Sequence, residues 1–163
     1  MITVRTIDPR GQRFGAAFSA VTLLLGFAID QPLLAAVVGI ALAVSAALGT
    51  QWFLFGRPWP TIRRNLHLGA PPAVEPELGP RFAQALGAAF VAIGFVLYFG
   101  GIEPWFWTPI LAVAGLQTLL AVTGFCLGCR LYGLHWFLPA VFDRIVLRAG
   151  TVPGTRLRNP RLG

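Results

Sequence analysis

The sequence predicts an all-α integral membrane protein with four transmembrane helices, arranged as two parallel-repeat hairpins and followed by a C-terminal interfacial helix. Three observations predict this fold class. The 163 residues are 56% hydrophobic and only 12% charged, with a mean hydropathy of +0.70, which is outside the range of soluble domains. Four long apolar stretches are separated by polar connections. The two halves of the chain also resemble each other at a nearly constant offset.

The charge of the chain is strongly unbalanced. Thirteen basic residues, all of them arginine, stand against six acidic residues, for a net charge of +7. A basic protein that is this apolar typically uses its arginines to orient itself in a membrane. We therefore expect the lipid bilayer as its surroundings and do not expect a nucleic-acid partner.

The first half predicts one helical hairpin. A polar lead over residues 1–13 is followed by a span over residues 14–29, which is long enough to cross about 30 Å of hydrocarbon. Pro32 and its polar neighbours predict a tight reversal, and residues 33–55 form the second predicted span. Because no small-residue cleavage site follows the first apolar segment, we expect that segment to remain as an anchor.

The second half repeats this pattern after a long polar connection over residues 56–80. Within the connection, residues 61–68 predict a short interfacial helix. Residues 82–99 form the third predicted span, residues 100–104 a short reversal, and residues 106–125 the fourth span. The four-span membrane domain is therefore expected to occupy residues 1–133.

The C-terminal tail is too weakly apolar for a fifth crossing. Pro139 breaks its apolar run, and Asp143 and Arg144 end it. Apolar and basic residues then alternate in a way that predicts an amphipathic interfacial helix over residues 134–148. The remaining residues, 149–163, are rich in glycine, proline and arginine and are expected to form a disordered basic tail.

A duplication is indicated by matching segments in the two halves. A Gly-Ala-Ala-Phe run begins at Gly15 and again at Gly87, an offset of 87 − 15 = 72. Arg57 and Arg130 end similar segments at an offset of 130 − 57 = 73. The repeat halves are thus about residues 8–57 and 80–130. Since each hairpin crosses the membrane twice, the halves are parallel repeats related by an axis along the membrane normal.

The arginines predict the orientation. They lie before the first span, in the central connection or after the fourth span, and the two short reversals contain none. By the positive-inside rule, both termini of this multi-pass protein are expected on the cytoplasmic side of the inner (plasma) membrane. Cys126 and Cys129 would then face a reducing compartment, so a permanent structural disulfide is not expected.

Cys126 and Cys129 are the only cysteines in the chain, and their Cys-x-x-Cys spacing is typical of thiol chemistry. In thiol redox exchange or sulfur transfer, one thiolate attacks the substrate and the other resolves the mixed species. Arg130 would stabilise a thiolate electrostatically. The helix dipole would oppose it if Cys126 ends the fourth helix and would favour it if Cys126 begins the next one, and the sequence leaves this sign open.

We therefore take Cys126, Cys129 and Arg130 as the candidate catalytic residues. Trp59, Arg63 and Arg64 of the central connection would shape a docking surface for a soluble partner.

Three other roles for the cysteine pair remain open. The cysteines could be small packing residues. They could bind zinc together with His67 and His135, although the spacing matches no zinc-finger pattern and no cofactor is otherwise expected. They could also belong to a non-enzymatic membrane scaffold or to a channel-like or transport subunit, in which an anion or a small molecule would pass through a homo-oligomer of this chain.

The sequence disfavours several other classes of protein. Gln51 and Gln117 are the main strongly polar residues inside the predicted spans, and no Asp, Glu, Arg or His lies there, which disfavours a proton-driven carrier. There is no serine triad, phosphate-binding loop or paired carboxylate, so classical hydrolase and nucleotide chemistry are excluded.

Three segments resemble a known family of bacterial membrane proteins, the Domain of Unknown Function 4395. They are residues 8–14 (DPRGQRF), residues 57–59 (RPW), and residues 126–129 (CLGC) with Tyr132. The likeness covers about residues 7–133. It implies a small multi-span membrane protein without an assigned activity or established catalytic residues. Relatives are associated with sulfurtransferase or thioredoxin-like neighbours, so the resemblance implies a soluble partner of one of these kinds.

Overall fold

The structure, a computed structural model, describes residues 6–69 and 75–137 and is mostly helical. The α-helices of the described residues are α1 (Pro9–Ala28), α2 (Pro32–Leu48), α3 (Trp59–Asn65), α4 (Leu78–Phe99), α5 (Trp107–Thr123) and α6 (Leu127–Phe137).

A short antiparallel pairing joins the beginning of the chain to the end of the central connection. Strand β1 (Thr6–Ile7) pairs with strand β2 (Glu75–Pro76), with Ile7 opposite Glu75. Since β1 leads into α1 and β2 leads into α4, the pairing places the first turns of these two helices at the same end of the bundle.

The long helices pack mainly across the two halves of the chain. Helix α1 packs most extensively against α5, and α2 packs most extensively against α4, while α1 and α2, and α4 and α5, also touch as hairpins. The centre of the bundle is filled by Leu23, Val38, Leu42, Phe106 and Ile110, all of them almost completely buried.

The burial pattern follows the offset of 72 that relates Gly15 to Gly87. Three core positions of α2 correspond at this offset to three core positions of α5, and all six side chains are buried. The corresponding pairs are Val38 and Ile110, Ala41 and Val113, and Leu42 and Ala114. The two helices thus use the same face, counted from the start of each half, to enter the core.

Arg81 satisfies the last carbonyl groups of α2. Its Nε and Nη2 atoms donate to the carbonyl oxygen of Ala46 at 3.0 and 2.9 Å, and Nη2 also donates to Ala47 at 2.9 Å. The final carbonyls of a helix have no partner inside the helix, and a cation beside them also complements the helix dipole. Arg81 therefore joins the start of α4 to the end of α2.

The described arginines lie in segments at one end of the bundle, which we call the arginine end. This end comprises the starts of α1, α4 and α6, the ends of α2 and α5, and α3. The opposite end holds the two reversals, where the indole Nε1 of Trp107 donates to Asp30 at 2.9 Å. The ring of Phe27 packs edge-on against Trp107 with centroids 5.6 Å apart, so an aromatic contact joins the two reversals.

Two helical segments, Leu78–Phe99 and Glu103–Thr123, are long and apolar enough to cross a membrane. Helix α2 is also apolar but shorter, at 17 residues. Large apolar side chains are exposed on the outside of all four long helices, for example Val21, Ile40, Val96 and Val122. Such continuous apolar exposure is unusual on a protein surface that meets water.

The predicted second span, residues 33–55, is too long. Helix α2 ends at Leu48, and two short 3₁₀ turns follow, Thr50–Trp52 and Leu54–Gly56. Gly49 ends the helix with φ of 111° and ψ of 155°, a conformation essentially confined to glycine. The buried carboxylate of Glu77 then accepts hydrogen bonds from the backbone N–H and the hydroxyl of Thr50, at 2.7 and 3.1 Å.

Other helix boundaries also differ from those predicted. Helices α1 and α4 begin at Pro9 and Leu78, before the predicted spans, because polar residues as well as apolar ones form their first turns. The short helix α3 covers Trp59–Asn65 rather than residues 61–68. Helix α6 begins at Leu127, seven residues before the predicted interfacial helix. The remainder of that helix and the predicted basic tail, residues 138–163, lie outside the described residues.

Replacement of Gly49 by alanine should destabilise the protein. A Cβ atom at this position would lie 2.8 Å from Oε1 of Glu77, and the backbone conformation would be strained, at a cost of about 2 kcal/mol or more. We expect a lower thermal unfolding temperature in detergent. Gly115→Ala is the matched control, because Gly115 has open space around its Cα. Equal unfolding temperatures for the two variants would contradict this account of the end of α2.

Candidate functional site

The cysteine pair lies in the connection between α5 and α6. Gly124 ends α5 in the left-handed conformation, with φ of 74°, and its N–H donates to the carbonyl of Leu120 at 2.9 Å. The N–H of Phe125 then donates to the hydroxyl of Thr123 at 3.0 Å. These contacts turn the chain within three residues, so Cys126 lies close to the end of α5 and at the entrance of α6.

Cys126 occupies the N-cap position of α6. Its carbonyl accepts the N–H of Arg130 at 3.0 Å, and its Sγ atom accepts the N–H of Cys129 at 3.2 Å. A side-chain acceptor for an N–H of the first turn is what an N-cap residue provides. The sequence left open whether the helix dipole opposes or favours a thiolate at Cys126. In the structure Cys126 begins a helix, so the dipole favours negative charge on its sulfur.

Cys126 and Cys129 form a disulfide bond, with their Cα atoms 5.2 Å apart. The prediction from the sequence was that a permanent disulfide is not expected on a reducing side of the membrane. The two sulfur atoms are within bonding distance across one helical turn, as a pair that alternates between dithiol and disulfide requires. The redox state of the pair in the cell stays a prediction.

Helix α6 is held closely against the first turns of α4. A Cβ atom built at Gly128 would lie 2.6 Å from the Cβ of Ala83, so only glycine allows this approach. One built at Gly79 would be 3.4 Å from the Cβ of Cys129. The rings of Phe82 and Tyr132 also contact each other, with centroids 5.9 Å apart. Cys129 thus packs against the backbone of α4.

Arg13 holds the other side of the cysteine turn. Its Nε atom donates to the carbonyl of Ala121 at 3.1 Å and its Nη2 atom to that of Val122 at 2.8 Å. The guanidinium also lies against Gly124, in contact with the position that a Cβ atom of this residue would occupy. An arginine of α1 therefore stabilises the last turn of α5 immediately before the cysteines.

A small cavity of about 70 Å³ lies beside Cys126, between α1, α4 and α5. Cys126 and Gly128 belong to its wall, whereas Cys129 does not. Most of the lining is apolar, and its hydrogen-bonding side chains are three glutamines. The lining residues are Gln12, Ala16, Phe53, Pro80, Ala83, Gln84, Leu86, Gly87, Phe90, Val113, Leu116, Gln117, Leu120, Cys126 and Gly128.

The three glutamines of the cavity differ in their contacts. Gln84 is buried, and its Oε1 atom accepts a hydrogen bond from the hydroxyl of Ser45 at 2.5 Å, so its NH₂ group is the part that can donate into the cavity. The side chains of Gln12 and Gln117 are half-buried and make no hydrogen bond within residues 6–69 and 75–137. Two glutamines therefore line the cavity without a hydrogen-bond partner for their side chains among the described residues.

Sequence reasoning identified Gln117 but missed Gln12 and Gln84. The internal repeat could have identified them, because Gln84 corresponds to Gln12 (84 − 12 = 72) and Gln117 corresponds to Ser45 (117 − 45 = 72). Between α2 and α4, the serine and glutamine bond directly. Between α1 and α5, two glutamines stand at the corresponding positions, and both line the cavity.

A larger cleft of about 480 Å³ opens on the other side of Phe53, at the arginine end. Gln12, Phe53 and Gln84 line both spaces. Phe53 is 5% exposed, and its ring packs against Gly15, where a Cβ atom would lie 2.6 Å from Cε1. Gln51, the other glutamine expected inside a span, lines this cleft and not the cavity.

Asp8 organises the outer wall of the cleft. It caps α1 by accepting the N–H of Arg10 at 2.9 Å, and its Oδ2 atom accepts the indole N–H of Trp59 at 3.1 Å and a guanidinium N–H of Arg63 at 3.3 Å. Partial burial alone would raise the pKa of Asp8. The hydrogen bonds from Trp59, Arg10 and Arg63 and the charge of Arg63 outweigh this and lower the pKa below its ordinary value.

The candidate residues other than the cysteines take different positions. Trp59 and Arg63 contact Asp8 of the same chain, and Arg64 is exposed. The guanidinium of Arg130 lies over the ring of Phe125, 5.4 Å from its centroid, as in a cation–π contact. Its influence on the sulfur atoms stays a prediction.

The residues of the alternative zinc site are not brought together in the part of the chain that the structure describes. Among those residues, there is no group of three or more histidine, cysteine, aspartate or glutamate side chains that could hold a metal ion. His67 is exposed, with φ of 51°, and the side chain of His135 lies outside the described residues.

One family model matches the chain. It is described as "Domain of unknown function (DUF4395)", and the match covers residues 7–136, from the strand before α1 to the next-to-last residue of α6. No curated protein and no solved structure matches the chain.

Replacement of Arg13 by alanine should loosen the cysteine turn. The loss of two hydrogen bonds to the end of α5 should lower the free energy of unfolding by about 1 kcal/mol, since the site is exposed. We expect the disulfide to be reduced faster by dithiothreitol, measured by alkylation and mass. The control is Arg10→Ala, because the side chain of Arg10 makes no hydrogen bond within the described ranges. Identical reduction rates for both variants would rule out this role of Arg13.

Replacement of Asp8 by asparagine should remove a pH-dependent part of the stability. Folding lowers the pKa of Asp8, so its contribution is present above the unfolded value of about 3.9 and is lost as the pH falls through the lower folded value. The difference in unfolding temperature between wild type and Asp8→Asn should be largest at neutral pH and should shrink below about pH 4.

Asparagine still provides an N-cap acceptor, so the comparison isolates the charge. Glu75→Gln, at an exposed carboxylate of β2, serves as the control and should unfold like wild type at neutral pH. A difference between wild type and Asp8→Asn that is the same at every pH would refute the assignment.

Proposed function

The chain belongs to the DUF4395 family, and we propose that it is a four-span membrane protein whose Cys126–Cys129 pair exchanges electrons or sulfur with a soluble partner at the cytoplasmic face. The observation that carries this proposal is the position of Cys126. Its sulfur accepts an N–H at the start of α6 and borders a cavity. Both features support a reactive sulfur more than a packing residue.

The proposed exchange is balanced within the pair and its partner. A thiolate of the partner attacks the Sγ atom of Cys126, the disulfide bond breaks, and the electron pair leaves on Cys129. A second partner thiolate then attacks the mixed disulfide and releases Cys126 as a thiolate. The partner is oxidised and the chain is reduced by two electrons, and the reverse sequence oxidises the chain. The dipole of α6 stabilises the thiolate of Cys126 in both directions.

A thioredoxin-like protein or a sulfurtransferase is the proposed soluble partner, because each supplies a reactive sulfur on a protein surface. It would approach from the arginine end, where Arg64 and Arg130 are exposed. A partner with an acidic surface would therefore be attracted to this end of the chain.

The four-span arrangement is proposed for all the long helices. Besides the two helices that are long and apolar enough to cross a membrane, α1 and α2 pack along them and expose large apolar side chains in the same way. An apolar surface on all four helices is suited to lipid. Because the described arginines lie at one end, the positive-inside rule supports the proposal that this end and both termini face the cytoplasm.

The proposed origin of the bundle is a duplicated hairpin. It is supported by the core positions that α2 and α5 share at an offset of 72 residues and by the exchange of partners between the halves. In this proposal α1 with α2, and α4 with α5, are parallel repeats, and the cysteines belong only to the second copy.

Cysteine substitution tests the exchange. Cells that express wild type, Cys126→Ser or Cys129→Ser are quenched in acid, alkylated and examined by intact mass. We expect wild type to show a mixture of dithiol with disulfide, persulfide or mixed-disulfide forms, because the pair turns over. Cys129→Ser should accumulate a mixed species on Cys126, since the resolving thiol is absent.

Vesicles prepared from the same strains without quenching or alkylation test the orientation. A membrane-impermeant maleimide should label the reduced pair in inverted vesicles and not in sealed right-side-out vesicles. The control for expression and folding is Ser45→Ala at the α2–α4 contact, which leaves both cysteines in place. Two fully reduced, unmodified cysteines under every growth condition would refute the exchange.

A further inference from the structure

We propose that the cavity beside Cys126 binds a small sulfur nucleophile, hydrosulfide, and presents it to the Cys126 sulfur of the disulfide. This inference rests on the proposed thiol exchange and specifies one substrate of the same site. It has three supports: which cysteine borders the cavity, the size of the cavity, and the absence of charged side chains among the described residues of its wall.

The two sulfur atoms have different surroundings. Cys126 lines the cavity, whereas Cys129 packs against the backbone of α4 at Gly79. A molecule inside the cavity therefore meets Cys126 first, and Cys129 is the leaving group. The Cys126 sulfur also lies at the start of α6, where the helix dipole favours negative charge, and it accepts a hydrogen bond from the N–H of Cys129.

The size of the cavity restricts its occupant. A volume of about 70 Å³ has room for roughly five water-sized groups, at about 15 Å³ each. Glutathione and the peptide of a protein partner are far larger than this space. Hydrosulfide, with one heavy atom, fits together with water.

The chemistry of the wall restricts the charge of the occupant. Among the described residues, no arginine, lysine, histidine or acidic residue lines the cavity, so a dianion such as thiosulfate would lack a countercharge there and its burial would be costly. The amides of Gln12, Gln84 and Gln117 can donate hydrogen bonds to a single negative charge or to a neutral molecule. Two of these amides have no other hydrogen-bond partner among the described residues.

A route leads from water to the cavity. The larger cleft at the arginine end shares Gln12, Phe53 and Gln84 with the cavity, so the two spaces adjoin at these residues. Gln12 and Gln84 line both spaces, so they can form hydrogen bonds with a small polar molecule that moves from the cleft into the cavity.

The reaction in the cavity is one displacement. The sulfur of hydrosulfide attacks Sγ of Cys126 and forms a new S–S bond, while the Cys126–Cys129 bond breaks and its electron pair leaves on Cys129 as a thiolate. The sulfide sulfur is oxidised and the disulfide is reduced, which leaves a persulfide on Cys126. A thiolate of the soluble partner then takes the outer sulfur, which leaves a persulfide on the partner and a thiolate on Cys126. A disulfide of the partner oxidises the Cys126 and Cys129 thiolates back to the disulfide and is itself reduced to two thiols.

The experiment uses the purified full chain in detergent, in its disulfide form. Sodium sulfide, glutathione and sodium thiosulfate are added separately at equal concentration, and reduced thioredoxin is the protein-sized probe. Alkylation and peptide mass mapping follow the loss of the disulfide and the position of any added sulfur. We expect sulfide to react at least tenfold faster than glutathione or thiosulfate and to add one sulfur to Cys126.

Variants of the cavity amides provide the second readout. Gln117→Leu keeps the size of the side chain but removes its hydrogen bonds, so the ratio of the sulfide rate to the thioredoxin rate should fall roughly three- to tenfold. Gln12→Leu is a second variant with the same expectation. The control is Gln31→Leu in the exposed α1–α2 reversal, for which the ratio should not change.

The outcomes separate this inference from the proposed function. Equal rates for sulfide and glutathione, an added sulfur on Cys129, or unchanged ratios in both amide variants would overturn the cavity as a hydrosulfide site. If thioredoxin reduces the disulfide in those cases, the proposed function is still supported and only the hydrosulfide site is refuted. If neither sulfide nor thioredoxin reduces the folded chain, both the inference and the proposed function fail.

Discussion

The arrangement of this bundle depends on the backbone carbonyls at the ends of two helices. The last carbonyls of any helix lack hydrogen-bond partners within that helix, and the free-energy cost of leaving them unpaired rises where water is scarce. Here Arg81 of α4 satisfies the end of α2, and Arg13 of α1 satisfies the end of α5. Each half of the chain therefore completes a helix of the other half. The starts of α1 and α4 and the ends of α2 and α5 are thereby aligned at the arginine end.

The position of the cysteines follows from this alignment. Because Arg13 holds the last turn of α5 and Gly124 reverses the backbone, α6 begins directly beside the first turns of α4. The close approach at Gly128 leaves Cys129 against α4 and Cys126 on the cavity wall. The two sulfurs of one motif thus acquire different surroundings, which is the basis for different roles in exchange chemistry.

The cavity itself reflects a difference between two otherwise similar helix pairs. Ser45 and Gln84 bond to each other between α2 and α4, whereas the corresponding positions between α1 and α5 are Gln12 and Gln117. Serine is short enough for a direct bond with glutamine, while the two glutamines border an open space. The two helix pairs therefore differ at one polar position, and among the described residues this difference leaves a glutamine-lined cavity beside α1 and α5.

The sequence by itself determined the helical class, the approximate helices, the family likeness and the cysteine pair, because hydropathy, proline and motif spacing are local properties. The tertiary structure decided the end of α2, the start of α6 and the glutamine-lined cavity. Glu77 bonds to Thr50 across 27 residues, and Arg13 reaches Val122 across 109 residues. Interactions between residues so far apart leave no periodic signal in the chain, and they exist only once the two halves have packed together.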